Sequence, residues 1–204
     1  MFYRILQIKF LKSFQIYVRS DGHVSIDGAV FTKGEKYDST SSKKGKAKHY
    51  YRVKNHNGYC DLLVHRLVAS AFCKNPAPLY FRIVDHINGD SLCNHSWNLR
   101  WINHTLNNLN SFSRNTKRRK NGMYYGCVKV KHCPHYTKTF ENEYDAHLAA
   151  QQLKYDLFQS NYRSLIENEN ETTEYCQHIY GRECISPVAD QYDDSDVRRG
   201  MFCL

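Results

Sequence analysis

Apolar and polar positions change period several times along this chain, and each change marks a predicted element. Phe14-Gln15-Ile16-Tyr17-Val18 alternates and runs into Asp21-Gly22; His23-Val24-Ser25-Ile26 follows and ends at Asp27-Gly28. Alternation bounded by turn dipeptides predicts short β-strands. Lys33 to Lys48 is polar, with Ser39–Ser42 and Lys43-Lys44-Gly45-Lys46, and predicts a basic loop. Tyr50–Val53 and Tyr59–Leu62 flank Asn57-Gly58, a hairpin signal. At Leu63 the period switches. Val64, Leu67, Val68 and Ala71 fall at i, i+3, i+4 and i+7 and predict a helix to Phe72, with His65 and Arg66 off its apolar stripe. Asn75-Pro76 and Pro78 close it.

The next signals are compact. Ile83–His86 predicts a strand, Asn88-Gly89-Asp90 a turn, and Leu99–Ile102 a second strand. Asn103 is a fitting N-cap for a helix to about Ser111. Ser113 to Gly122 reads as a polar linker. Tyr124–Val130 and Tyr136–Phe140 predict strands, and Glu143–Phe158 a helix whose Ala146, Ala149 and Ala150 would let it sit close against a sheet. After Tyr162 the chain is Asn/Glu-rich without clear period, which predicts disorder. The class is α+β.

Composition adds a partner. The chain has 204 residues and a formal net charge of +9. The charge is uneven: residues 1–162 hold 25 Lys and Arg against 11 Asp and Glu, residues 163–204 hold 4 against 9. A basic body fits a polyanion through phosphate contacts, although net charge alone fits solubility as well. Eight scattered cysteines in a chain long enough for its own core argue against a disulfide scaffold. The N-terminal stretch is broken by Arg4 and Lys9, unlike a signal peptide, and no run is long enough to span a membrane. The expectation is an intracellular protein with reduced thiols, in the cytoplasm or nucleus of a host cell.

The candidate chemistry lies in Asp85-His86, with Asn98 twelve residues after His86 and Asn107 nine residues later. Phosphodiester hydrolysis needs a base for water, a cation for the developing charge, and positioning. A histidine, ordinarily titrating near about 6.5, suits the base. Carboxylate and amide oxygens suit a hard divalent cation. Neighbours on a strand face opposite ways, so the strand must end or twist at His86 if both residues serve one site. Cys127, His132, Cys133 and His135 lie close together, but their spacing fits no common zinc knuckle.

Val64-His65-Arg66-Leu67-Val68-Ala69, Phe72, Val84-Asp85-His86-Ile87-Asn88-Gly89-Asp90, Asn94, Asn98-Leu99-Arg100-Trp101, His104 and Asn107 together resemble the HNH homing-endonuclease family of phages and large viruses. The match covers roughly residues 63–110. The resemblance implies a ββα-metal core. In it His86 is the general base, Asp85 and Asn107 hold one divalent cation (Mg²⁺, with Mn²⁺ as the alternative), and Asn98 braces the loop. It implies double-stranded DNA as partner, a monomer or weak homodimer, and one strand cut per site, so that a monomer nicks and a double-strand break needs two events or a dimer. Cys-x-x-Cys knuckles, present in many relatives, are absent, so the motif is expected to be zinc-free. Two rivals stand beside this reading: a DNA-binding regulator with a silent nuclease site, and a nuclease with little sequence preference.

Residues 122–160 resemble the three-strand-plus-helix domain of plant ethylene-response factors at Gly126, Val128, Phe140, Ala146 and Ala149. That likeness implies a sheet face in the major groove, with Lys129, Lys131 and Lys138 as contacts. Arg100, Arg114 and Lys117-Arg118-Arg119-Lys120 are candidate phosphate contacts. The expected division is a β-rich module at 1–62, the nuclease core at 63–113, a basic linker at 114–122, a DNA-binding module at 123–162 and an acidic tail at 163–204.

Overall fold

The structure is a computed structural model that describes residues 3–7, 15–39, 48–54, 61–111, 113 and 115–180. Eleven strands and three α-helices are found among them: β1 (Tyr3–Gln7), β2 (Gln15–Arg19), β3 (Val24–Ser25), β4 (Glu35–Ser39), β5 (Lys48–Lys54), β6 (Asp61–Leu63), α1 (Val64–Phe72), β7 (Ile83–His86), β8 (Leu99–Ile102), α2 (His104–Asn110), β9 (Thr116–Arg118), β10 (Tyr124–Val130), β11 (Cys133–Phe140) and α3 (Glu143–Tyr180). They form antiparallel sheets in the orders β1-β2-β3, β4-β5-β6, β7-β8 and β11-β10-β9.

α1 is the hub. Its stripe of Val64, Leu67, Val68 and Ala71 is buried, but so are His65, Arg66 and Ala69, so the helix is enclosed on nearly every side. It packs against β1, β2, β5, β6, β7 and β8. Arg4 on β1 donates to the Ala71 carbonyl and lies over the Phe72 ring, a cation placed at the helix C-terminus where the dipole favours it. Behind α1, the Trp101 indole donates to the Cys73 carbonyl at 3.1 Å, and the Asn75 amide donates to the Phe81 carbonyl at 2.7 Å. These bonds seat the chain between α1 and β7.

Several expected boundaries are corrected. The basic loop of 33–48 contains β4, paired with β5; residues 40–47 and the Asn57-Gly58 turn lie outside the described residues. The linker of 114–122 contains β9, an edge strand on β10. Lys and Arg are weak strand formers, and the pairing, not the propensity, decides this strand. β11 begins at Cys133, because Lys131 and His132 form a two-residue turn with φ of 45° and 71°. Positive φ at both positions is the type I′ pattern, here without the Asn-Gly that usually announces it.

The helix expected to stop near Phe158 continues to Tyr180, so residues 163–180 are helical rather than disordered; residues 181–204 lie outside the described residues. Tertiary contact explains the extension. Phe158, Tyr162, Leu165 and Ile166 pack on the core, and Glu169 accepts from the Leu79 amide at 3.1 Å. Burial raises the Glu169 carboxyl above its ordinary range, with the Leu79 bond acting against it. At its other end α3 lies on β10 so closely that a Cβ on Gly126 would come within 2.8 Å of the Ala150 Cβ. No helix among the described residues is long and apolar enough to cross a membrane.

Candidate active site

β7, β8 and α2 make a two-stranded ribbon with a helix behind it. Val84 pairs with Trp101, Asp85 with Arg100 and His86 with Leu99. Asn103 caps α2, its side chain accepting from the Leu106 amide at 3.0 Å, and Leu106 and Leu109 bury the inner face of the helix. Asp85 and His86, neighbours with opposed directions on an ordinary strand, are both buried at the end of β7. The chain turns there: the Gly89 amide donates to the His86 carbonyl at 2.9 Å.

Asn98 is fully enclosed, with 0 % exposure. Its Nδ2 donates to Asn88 Oδ1 at 3.0 Å and to the Cys93 carbonyl at 2.8 Å, while its Oδ1 accepts from the Asn88 amide at 3.1 Å. Its own carbonyl accepts from the Ile87 amide. One amide thus ties both ends of the 87–98 loop, using donor and acceptor together.

His86 Nε2 lies 3.0 Å from Asn94 Oδ1. An amide oxygen accepts, so Nε2 carries the proton and the basic lone pair belongs to Nδ1. Asn94 is itself held from the N-terminal sheet. The Ser96 amide donates to the Ser20 carbonyl at 2.7 Å, and Gly22, at φ +90°, comes so near that a Cβ there would meet the Asn94 Cβ at 2.9 Å. The Asp21-Gly22 turn, legible only as a turn, is thereby a wall of the site. His65 approaches the His86 ring at 5.2 Å between centroids, with Tyr50 of β5 on the His65 ring at 5.4 Å. Burial first, then the nearby His86 and Arg66 charges, push His65 well below the usual histidine range, so it stays neutral.

Asp85 Oδ2 receives Arg100, with Nε at 3.0 Å and Nη2 at 2.9 Å, and Asn110 Nδ2 at 2.9 Å. Asn110 Nδ2 also lies 3.2 Å from the His86 carbonyl. Among the described residues Oδ1 accepts no hydrogen bond. Asn107 lies one turn before Asn110 on α2 and is half-buried; its backbone amide donates to the Asn103 carbonyl at 2.9 Å, while its side-chain amide makes no hydrogen bond among the described residues. Asn110 offers its nitrogen to Asp85, so the Asp85 carboxylate and the Asn107 side-chain oxygen are the hard oxygen donors of this donor set. It fits a hard cation that keeps several waters and takes further oxygens from a phosphate. No group of three or more His, Cys, Asp or Glu suited to a metal occurs among the described residues, Cys127, His132, Cys133 and His135 included. Cys127 and Cys133 are free thiols, as are Cys73 and Cys93.

The remaining expected residues are spread out. Arg100 turns to Asp85 rather than to solvent. Lys117, Arg118, Arg119, Lys120, Lys129, Lys131 and Lys138 are all exposed on the β9–β11 sheet and its turns. Lys117 pairs with Tyr125 and Lys129 with Pro134 on the face opposite the one that α3 covers. Arg114 lies outside the described residues. Sequence alone gives His65 a structural place, capping or orienting near the start of α1, where no side-chain cap bond is found, and it assigns Asn110 no role. Asn110 had a readable signal, its i+3 spacing from Asn107; the packing of His65 on His86 had none.

No family model matches the chain. A stretch of 39 residues is 51% identical to an uncharacterized HNH endonuclease of Acanthamoeba polyphaga mimivirus, covering 19% of this chain and 10% of that protein. The chain therefore spans about a tenth of the length of the curated relative it matches. A solved structure concerned with DNA binding and cleavage by the HNH homing endonuclease I-HmuI aligns over 52% of this chain and 55% of its own, at 26% identity and a TM-score of 0.35. The local likeness to an HNH endonuclease is thus clear over a short stretch, and the looser alignment adds no argument about the fold.

Proposed function

We propose that this chain is a metal-dependent HNH-type DNA endonuclease that hydrolyses phosphodiester bonds. The observation that carries the reading is the pairing of Asp85 and His86 at one strand end, with His86 Nε2 anchored on Asn94 and the carboxylate facing the amide-bearing side of α2. His86 takes a proton from water at Nδ1 as the water oxygen bonds to phosphorus and the bond to the leaving oxygen breaks. The Asn94 carbonyl oxygen keeps the ring oriented and favours the imidazolium that results. Asp85 and Asn107 would hold the divalent cation, Mg²⁺ or Mn²⁺, through a carboxylate and an amide oxygen. A bound cation supplies charge neutralisation for the phosphate oxygens. Asn98 keeps the loop between the strands closed around the base.

Double-stranded DNA is the substrate. Lys117, Arg118, Arg119 and Lys120, with Lys129, Lys131 and Lys138, form its phosphate-contacting surface, a role supported by their exposure on one module and by the basic body of the chain. A single site cuts one strand, so a monomer nicks. One observation favours the rival of a silent site in a DNA-binding protein: Asp85 already carries an ion pair with Arg100.

The test is conversion of supercoiled plasmid to open circles at low salt, with Mg²⁺, Mn²⁺ or EDTA. Nicking should need the cation, and His86→Ala should lower its rate by about 10²- to 10⁴-fold while DNA affinity holds. If the binding lost in His86→Ala matches the cleavage lost, His86 is structural and the mechanism fails. Tight DNA binding without cleavage of any target, from a library of long DNA, would establish the silent site.

A further inference from the structure

Three donor atoms converge on a single oxygen of Asp85, and the residue that supplies two of them is also seated on an aromatic ring of α3. Both Arg100 nitrogens and the Asn110 amide end on Oδ2. The guanidinium carbon of Arg100 also lies 4.1 Å from the centroid of the Phe158 ring on α3. A cation over an aromatic face is attracted by the ring's negative surface, more so when partly desolvated. Phe158 is itself fixed: it stacks with Tyr162 at 5.9 Å, and Tyr162 stacks on the buried Phe81 at 5.0 Å. A continuous path of packed groups therefore runs from the core beneath α3, through Phe158 and Arg100, to the carboxylate of the site.

We propose that Arg100, held in place by Phe158, is the built-in counter-cation of Asp85: a positioning residue that aims the carboxylate and limits how tightly the site takes a divalent ion. The inference rests on Asp85 being a metal ligand, as proposed above. Two consequences of opposite sign follow. With Oδ2 occupied, the carboxylate is fixed in one orientation and Oδ1 is the oxygen left to ligate, which favours a cation. A guanidinium at hydrogen-bond distance from that same carboxylate also lies within a few ångströms of any ion bound there, and like charges at that range repel. Asn110 would still hold Oδ2 by one bond if Arg100 were removed, so the ordering is lost only in part. The repulsion removed is that of a full charge against a divalent ion. Repulsion is the larger effect.

Such a site takes its cation weakly until another negative group enters. A DNA phosphate is that group, so cation and substrate bind together rather than separately. α3 then belongs to the working unit of the nuclease, because its Phe158 keeps the counter-cation where it acts.

The experiment measures Mn²⁺ affinity of the full chain without DNA, by calorimetry or by the resonance of free Mn²⁺, beside nicking at saturating Mg²⁺. Arg100→Gln should tighten Mn²⁺ binding by about tenfold, yet nick more slowly than wild type at saturation, because the carboxylate is less firmly aimed. Phe158→Leu, which leaves every charge in place, should shift both quantities the same way by less. Arg100→Lys keeps the charge and should keep an affinity near wild type. Unchanged or weaker Mn²⁺ binding in Arg100→Gln overturns the role of Arg100, while wild-type binding that disappears in Asp85→Asn leaves the nuclease reading standing. Wild-type protein that takes up no Mn²⁺, with or without DNA, overturns both. A merely structural role would lower affinity and rate together, so the opposed signs are the signature.

Discussion

The β7–β8–α2 segment and the β9–β11 sheet carry their polar groups in opposite ways. In the first, Asp85, His86, Asn94 and Asn98 are buried, and each is bound to a named partner within about a hydrogen bond's length. In the second, Lys117, Arg118, Arg119, Lys129, Lys131 and Lys138 stand in solvent. Three of them lie over ring faces: Arg118 over Tyr124 at 5.6 Å, Arg119 over Tyr125 at 5.2 Å, Lys138 over Phe140 at 5.5 Å. A buried polar network is stable only when every member is satisfied, and it then fixes a single geometry. Exposed cations fix nothing, but they can follow any phosphate backbone. The difference separates a place suited to chemistry from a place suited to adhesion.

The sharpest way to break the comparison is to open the network. Asn98→Ala removes the donors to Asn88 and Cys93 and the acceptor for the Asn88 amide, all around a fully enclosed side chain. Stability should fall by about 2–3 kcal/mol, and the thermal midpoint by roughly 5–10 °C for a chain of this size, with nicking lost alongside. A midpoint equal to wild type would mean the loop is held by something else, and the contrast between the two regions would lose its physical basis.

How far these regions could be read from sequence differs in the same way. β7, β8, the Asn103 cap and the place of Asn98 depend on neighbours within about fifteen residues, and local pattern carries such information. The partners of Arg100 and His65 depend on where α3 and α1 dock, which no local period encodes. The pattern that predicts β8 says nothing of the Phe158 ring that lies over Arg100. β9 was hidden because an exposed edge strand of Thr116-Lys117-Arg118 has no apolar alternation to show. The extension of α3 past Phe158 was hidden by its Asn and Glu content, although Phe158, Tyr162, Leu165 and Glu169 do recur at helical spacing along the side that docks.

The exposed region yields to a change that leaves the site alone. Replacing Lys117, Arg118, Arg119 and Lys120 together by Gln should weaken DNA binding and flatten its dependence on salt. Each cation that contacts a phosphate should remove about 0.9 from the slope of log affinity against log salt. The melting temperature should stay close to wild type, as for most surface substitutions. An unchanged salt slope, measured by titration of a labelled duplex between low and moderate salt, would detach this cluster from DNA and leave Lys129, Lys131 and Lys138 to account for adhesion.

The smallest expected effect sharpens the comparison from inside the buried region. His65 is enclosed and neutral, its proton affinity depressed by burial and by the charges of His86 and Arg66. Unfolding returns it to water and to its ordinary value near 6.5. Below that value the unfolded chain binds a proton that the folded chain refuses, so stability must fall as pH drops from 6.5 towards the depressed folded value. Above 6.5 both states are neutral and the contribution is flat. For one proton the slope approaches about 1.4 kcal/mol per pH unit within that window. His65→Phe keeps a ring between Tyr50 and His86 and removes the titration. The difference in unfolding free energy between pH 7.5 and pH 5.5, measured in urea, should therefore be smaller in His65→Phe than in wild type. Equal differences would place His65 in contact with water and strip the His86 ring of its dry neighbour.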